Sequence, residues 1–305
     1  MSIRSDYVWM DGELVPYDKA HVHVLSHTLH YGLGVFEGIR SYAQDDGSGG
    51  VFRLDEHIER LFDSARMCMI DLEYSESEVR EACIQTLQAN KLVEGYIRPL
   101  VFLGHGAMGL GARANKVHLI IAVWPWGAYL GDEGMNVGIR AATSSFTRHS
   151  VNANLQRAKV TGHYVNSILA RYEANDNGYD EAIMLDHNGF VAEGTGENLF
   201  VIKGRKIKTP SITNILGGIT RQTAIEILNS LGYDVIETQF GRDALYVADE
   251  VFMTGTAAEI TPIREIDRRQ IGDPGEISLL VQRTYLDGVR GRVDWMLPMI
   301  TKYSV

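Results

Sequence analysis

The stretch EAIMLDHNGFVAEGTGENLFVIK, residues 181–203, is written for a pair of strands. Residues 182–185 and 199–202 are apolar, and Asp186-His187-Asn188-Gly189 between them is a turn signal. Phe190 and Val191 bring the chain back in half-buried alternation until it reaches Glu193 beside Gly194 and Gly196, with Glu197-Asn198 close behind. An acid tucked into such a junction has to be paired or hydrogen-bonded, which calls for a cation near it. A solvated acidic loop is the plainer alternative.

The 305 residues suffice for two domains of ordinary size. A formal net charge of −10 disfavours nucleic-acid and anionic-membrane surfaces, which gather Lys and Arg, and leaves a small molecule as the expected partner. Cys68 and Cys83 lack metal-ligand spacing and read as reduced core residues. The histidines at 21, 23, 27 and 30 lack a nearby carboxylate to complete a ligand set, so no metal is expected. No apolar signal core opens the chain, and its longest apolar run, residues 119–126, is too short for a bilayer; a cytoplasmic location is expected.

Upstream, residues 1–16 read as a hairpin turning at Asp11-Gly12, followed by the glycine-rich YGLGVFEGIRSY at 31–42. There Tyr31 and Phe36 either line an apolar pocket or pack in a strand corner. Residues 53–69 and 76–93 have helical periods, with Arg60 beside the first apolar stripe and within reach of an anion. In the strand that follows, Tyr96 and Arg98 share a face and offer a phenol and a guanidinium to a carboxylate. Gly104, Gly106 and Gly109 satisfy a dinucleotide-binding pattern, but no helical period follows them, so a loop is expected. Trp126 and Tyr129 sit in a breaker-rich stretch suited to an interdomain connection.

Downstream, a strand is expected over residues 135–142. Lys159, between apolar Ala158 and Val160, precedes a helix with Val165, Ile168, Leu169 and Tyr172 at helical spacing; the setting suits Schiff-base chemistry, although a lone lysine is more commonly a surface residue. Gly217-Gly218 before a helix, with Thr220 as its N-cap, makes an anion cradle or a plain turn. Strands are expected over 233–240 and 250–254, the second running into the small residues Thr256-Ala257-Ala258, whose backbone N–H groups suit an oxyanion.

HYGLGVFEGIR, YIRP, PWGAYLG, the lysine followed by Tyr164, AEGTGENLF, LGGITR and ADEVFMTGTAAEITP occur in one order from about residue 9 to residue 262. In that order they resemble the fold-type IV, pyridoxal-phosphate-dependent aminotransferases, of D-amino acid aminotransferase-like fold, and within them the branched-chain amino acid aminotransferases. The resemblance implies an α+β chain of two domains: a small α/β domain at 1–125, a connecting loop at 126–134 and a large cofactor-binding domain at 135–305. It implies pyridoxal 5′-phosphate held by Lys159, with Glu193 on the pyridine nitrogen, Tyr164 beside the ring oxygen, and Arg60, Ile219, Thr220 and Thr256 around the phosphate. For the substrate it implies a carboxylate site at Tyr96, Thr256, Ala257 and Ala258, and a side-chain pocket walled by Phe36, Trp126, Tyr129 and Tyr164. Arg98 and Tyr31 would receive the distal carboxylate of glutamate. Tyr31 and Leu110 would come from a neighbouring copy, implying a homodimer or a hexamer built as a trimer of dimers. The expected reaction passes an amino group from leucine, isoleucine or valine to 2-oxoglutarate. D-amino acid aminotransferase, (R)-amine transaminase and aminodeoxychorismate lyase activities are the alternatives of the same fold, and a non-catalytic cofactor-binding protein lies outside it.

Overall fold

The computed structural model describes residues 5–127 and 131–305, apart from the side chain of Asp132. Tyr129 lies outside the described residues. The chain divides into two compact units, one formed by Met1–Gly127, Ala158–His163 and Gly288–Val305, the other by Ala128–Arg157 and Tyr164–Asp287. Residues 135–305 are therefore not one continuous domain. Two segments return to the first unit, and one of them carries Lys159.

The first unit opens with the hairpin β1 (Tyr7–Met10) and β2 (Glu13–Pro16), turned at Asp11 and Gly12, both at positive φ. The short helix α1 (His27–Tyr31) ends on Gly32 in the left-handed region, where glycine is free of Cβ strain. Strands β3 (Gly34–Phe36), β4 (Ile39–Ala43) and β5 (Gly49–Phe52) follow. Helix α2 (Leu54–Met67) buries Leu54, Ile58, Leu61 and Ala65, the stripe its period announces, at about 1.5–3 kcal/mol for each large apolar side chain. Helix α3 (Glu76–Ala89) starts in a Ser75/Glu78 capping box, which satisfies two N-terminal N–H groups. Strands β6 (Gly95–Leu103) and β7 (Val117–Trp124) pair antiparallel, and the sheet runs β5-β4-β6-β7-β1-β2 with β3 also on β6. The loop carrying Gly104, Gly106 and Gly109 forms no helix. Asn115 braces it, accepting from Ala107 N–H and donating to the carbonyls of Gly104 and Ala107.

The second unit begins with a helix where the sequence pattern predicts a strand. Helix α4 (Gly131–Val137) holds Met135, and β8 (Ile139–Thr143) begins only after Gly138, whose φ of 87° makes the turn. Helix α5 (Tyr164–Asp176) also departs from expectation. Its buried positions are the small residues Ser167, Ala170 and Ala174, while Val165, Ile168, Leu169 and Tyr172 are exposed. Strands β9 (Glu181–Leu185), β10 (Val191–Gly194), β11 (Asn198–Lys203) and β12 (Lys206–Thr209) precede α6 (Ile219–Ser230). Strand β13 (Val235–Glu237), helix α7 (Asp243–Tyr246), strands β14 (Glu250–Gly255), β15 (Glu259–Ile266) and β16 (Arg269–Gln270) and helix α8 (Glu276–Val289) complete the order. The second sheet runs β10-β9-β8-β15-β14-β11-β12-β13, with β16 on β15.

Strand β17 (Ile300–Tyr303) then rejoins the first unit on the edge of β5. Tyr303 is 6% exposed, and its hydroxyl donates to Leu92 O at 2.6 Å and pairs with Ser41 Oγ at 2.8 Å. A Cβ on Gly49 would lie 2.2 Å from Tyr303 Cζ, so glycine makes the seat for the ring. Burial pushes the Tyr303 phenol up to about 12. Tyr303→Ala should cost about 3–5 kcal/mol and Tyr303→Phe about 1 kcal/mol, read by denaturant unfolding.

Candidate functional site

Lys159 is fixed by the first unit. Its backbone N–H donates to Ser64 Oγ at 3.0 Å, its carbonyl accepts from Phe36 N–H at 3.1 Å, and Val160 bridges to Val35. Thr161 Oγ1 and Gly162 N–H both donate to Gly32 O, the second through a close backbone approach that a side chain on either glycine would disturb. The ammonium lies 4.9 Å from the centroid of the Phe36 ring, a cation–π distance. A half-buried lysine on a segment pinned this firmly is not a wandering surface side chain.

Arg60, expected within reach of an anion, is paired with a buried carboxylate. Its Nε and Nη2 donate to the two oxygens of Glu37 at 2.7 and 2.9 Å, and His57 Nδ1 lies 2.7 Å from Glu37 Oε2. Glu37 is fully buried. The Arg60 charge and the His57 hydrogen bond hold its carboxyl well below the usual range against the opposing cost of burial.

Tyr96 and Arg98 share one face of β6 as expected. Arg98 Cζ lies 4.8 Å from the Phe36 ring centroid, 5.4 Å from Tyr96 and 5.7 Å from Trp124, while the Trp126 ring lies tilted against Tyr96 with centroids 5.0 Å apart. Among the described residues no carboxylate pairs with this guanidinium, and its Nε is buried without a hydrogen-bond partner. Gly38 makes room for the Tyr96 hydroxyl, which would lie 1.9 Å from an added Cβ. Tyr31 and Leu110 come together as well: Tyr31 Oη accepts from Gly109 N–H at 3.1 Å, and the adjacent Leu110 is 92% exposed.

In the second unit Glu193 is buried and its cation is Arg148, with Nη2 at 2.9 Å from Oε1. Glu193 Oε2 accepts from Asn198 Nδ2 at 3.1 Å and from Leu216 N–H at 3.2 Å. The acidic junction is thus a braced carboxylate and not a solvated loop. Helix α6 opens with Gly218 as N-cap and no side-chain cap, which leaves Ile219 and Thr220 in its first turn. Thr220 is therefore inside the helix and not its cap. The reason is steric: a Cβ at Gly218 would meet Asn198 Oδ1 at 2.0 Å. Thr256, Ala257 and Ala258 form the turn between β14 and β15, with Ala258 buried, and Tyr164 begins α5 half-buried.

Sequence reasoning missed Arg148, Glu37, His57 and Ser64. Arg148 lies in a polar run without period, so nothing marked it. Glu37 carried the same sign as Glu193, an acid inside an apolar, glycine-rich stretch, and His57, Arg60 and Ser64 fall on one helix face at spacings of three and four. No cluster of three or more His, Cys, Asp or Glu suited to a metal occurs among the described residues. Among them, too, no helix is long and apolar enough to cross a membrane.

The amino-transferase class IV family model matches residues 34–266. A branched-chain-amino-acid aminotransferase of Pseudomonas aeruginosa is 50% identical over 296 residues, 96% of each chain, and one of Escherichia coli K12 is 44% identical over 295 residues, 95% of each. The solved Escherichia coli branched-chain amino acid aminotransferase matches with a TM-score of 0.95 at 42% identity over 97% of this chain and 99% of that one. The branched-chain amino acid aminotransferase of Thermobaculum terrenum, solved in its PLP-bound holo form, matches with a TM-score of 0.92 at 34% identity, covering 99% of each chain. In motif order, in fold and along nearly its whole length, the chain belongs to the class IV amino-transferases, in the family of the branched-chain-amino-acid aminotransferases.

Proposed function

We propose that the chain moves the amino group of leucine, isoleucine or valine to 2-oxoglutarate with pyridoxal 5′-phosphate. The observation that carries this reading is Arg98. A guanidinium stacked on aromatic rings, with no carboxylate beside it among the described residues, equips one apolar pocket for both a branched side chain and the distal carboxylate of glutamate.

The residues fit the cofactor. Thr254 Oγ1 is buried without a hydrogen-bond partner on the sheet face it shares with Asn198, a cost of about 1–3 kcal/mol that a ligand's polar group would offset. The uncapped start of α6 at Ile219 and Thr220 offers backbone donors to a phosphate, and the Arg60 guanidinium and the Thr256 hydroxyl would add side-chain donors. Glu193, braced by Arg148, Asn198 and Leu216, would accept a hydrogen bond from the pyridine nitrogen. Pyridoxal 5′-phosphate, when bound, supplies the electron sink that makes the substrate α-proton removable. Lys159 would hold the cofactor through its Nζ and would serve as the base that takes and returns the substrate α-proton. Tyr96 and the backbone N–H groups of Ala257 and Ala258 orient the α-carboxylate. Trp126, Phe36 and Tyr164 exclude water from the side chain, with Tyr129 assigned beside them by resemblance.

The exposed apolar groups Val24, Leu29, Tyr31 and Leu110 favour a second copy of the chain against this face, in a dimer or trimer of dimers. A cytoplasmic location completes the reading. Purified protein should absorb as a protein-bound Schiff base, and a donor panel with 2-oxoglutarate should rank L-leucine above D-alanine and (R)-1-phenylethylamine. Faster turnover of either of the last two would overturn the substrate class.

A further inference from the structure

Three donors besides Arg60 Nε converge on one buried carboxylate. Glu37 Oε2 accepts from Arg60 Nη2 at 2.9 Å and from Gly38 N–H at 3.2 Å, and His57 Nδ1 stands at 2.7 Å from the same oxygen. An ionised carboxylate only accepts, so Nδ1 carries the His57 proton. His57 is buried and held below its ordinary pKa, first by burial, so it braces Glu37 as a neutral imidazole. The pairing of Arg60 is side-on, through its Nε–Nη2 edge.

The same face of α2 carries Ser64, which takes the backbone N–H of Lys159, while Phe36, the residue before Glu37, donates to the Lys159 carbonyl and lies under its ammonium. One rigid patch of the first unit thus fixes both the lysine and the arginine. A long arginine side chain loses on the order of 2 kcal/mol of rotamer freedom when it is ordered. Here the ordering is already built into the fold.

We propose that Glu37, braced by His57, is a positioning residue that presents Arg60 in a single orientation to the cofactor phosphate. The inference rests on the reading of Arg60 as a phosphate ligand. Charge alone argues the other way, since a carboxylate on Arg60 weakens its pull on an anion; the inference therefore asserts that orientation outweighs charge.

The test uses full-length protein stripped of cofactor and titrated with pyridoxal 5′-phosphate and with pyridoxal, which lacks the phosphate, following the Schiff-base absorbance. Wild type should prefer the phosphorylated form. Glu37→Gln should lower affinity for it by about tenfold or more and leave pyridoxal within about twofold. Arg60→Lys should show the same selective loss, and the double variant should add little to it, as expected for residues acting as one unit. Equal loss for both ligands, unchanged or tighter binding of the phosphorylated form, or additive losses would each overturn the role of Glu37. If wild type shows no preference, or Arg60→Lys keeps it, the reading of Arg60 fails instead, and the proposal falls with it. Should Glu37→Gln not fold, Glu37→Asp, which keeps the charge but withdraws it by a methylene, and His57→Gln decide by the same ratio.

Discussion

Lys159→Ala should cut turnover of L-leucine by about 10³-fold or more while leaving the thermal midpoint nearly unchanged. The separation of the two effects follows from how the residue is held. The backbone of Lys159 is itself anchored, its N–H on Ser64 and its carbonyl on Phe36, with its neighbours held on Val35 and Gly32. Removing the side chain beyond Cβ leaves these intact and deletes the amine above the Phe36 ring. Single-turnover absorbance with L-leucine measures the first effect and a melting curve the second. A small primary amine added to the variant should restore part of the rate if, as proposed, the missing function is a proton carrier and not a packing group. A variant that keeps half of its activity, or that loses it only by unfolding, would remove Lys159 from the chemistry.

Arg98→Leu is the second large effect, and its signature is asymmetry. The substitution keeps an apolar side chain among Phe36, Tyr96 and Trp124 but removes the cation, so the glutamate and 2-oxoglutarate half-reactions should lose about 1.5–3 kcal/mol, or about 10–150-fold in kcat/KM. The leucine half-reaction, which offers no distal carboxylate, should move by less than about threefold. Half-reactions followed separately by absorbance resolve the two. Equal losses would mean that Arg98 supports the pocket walls and does not recognise a carboxylate.

Much of this was legible in the residue order, for physical reasons that differ from place to place. The hairpin at Asp11-Gly12, the α2 stripe and the strand carrying Tyr96 and Arg98 are local patterns, and a local pattern needs no partner to be read. Glu193 was legible as a buried acid, but its partner was not. Arg148 lies far from it in sequence, and only the sheet brings the two within 2.9 Å. Helix α5 misled for a related reason. Its apolar residues repeat at helical spacing, yet the side that packs uses Ser167, Ala170 and Ala174, because small residues allow a close approach to the strand beneath. At Gly138 a single left-handed glycine ends a helix in a stretch that reads by composition as one strand. The Thr220 cap failed because the N-cap preference for hydroxyls yielded to the space that Asn198 requires.

The placement of β17 has a consequence for how the protein is made. Because its pairing partner β5 leaves the ribosome about 250 residues earlier, the first sheet waits with an open edge through synthesis of the entire second unit. That edge is a template for any stray strand, so nascent chains stalled before Tyr303 are the species expected to aggregate or to engage chaperones. Coupled translation and pulse-labelling of truncated chains would show the first unit gaining protease resistance only after residue 303 emerges.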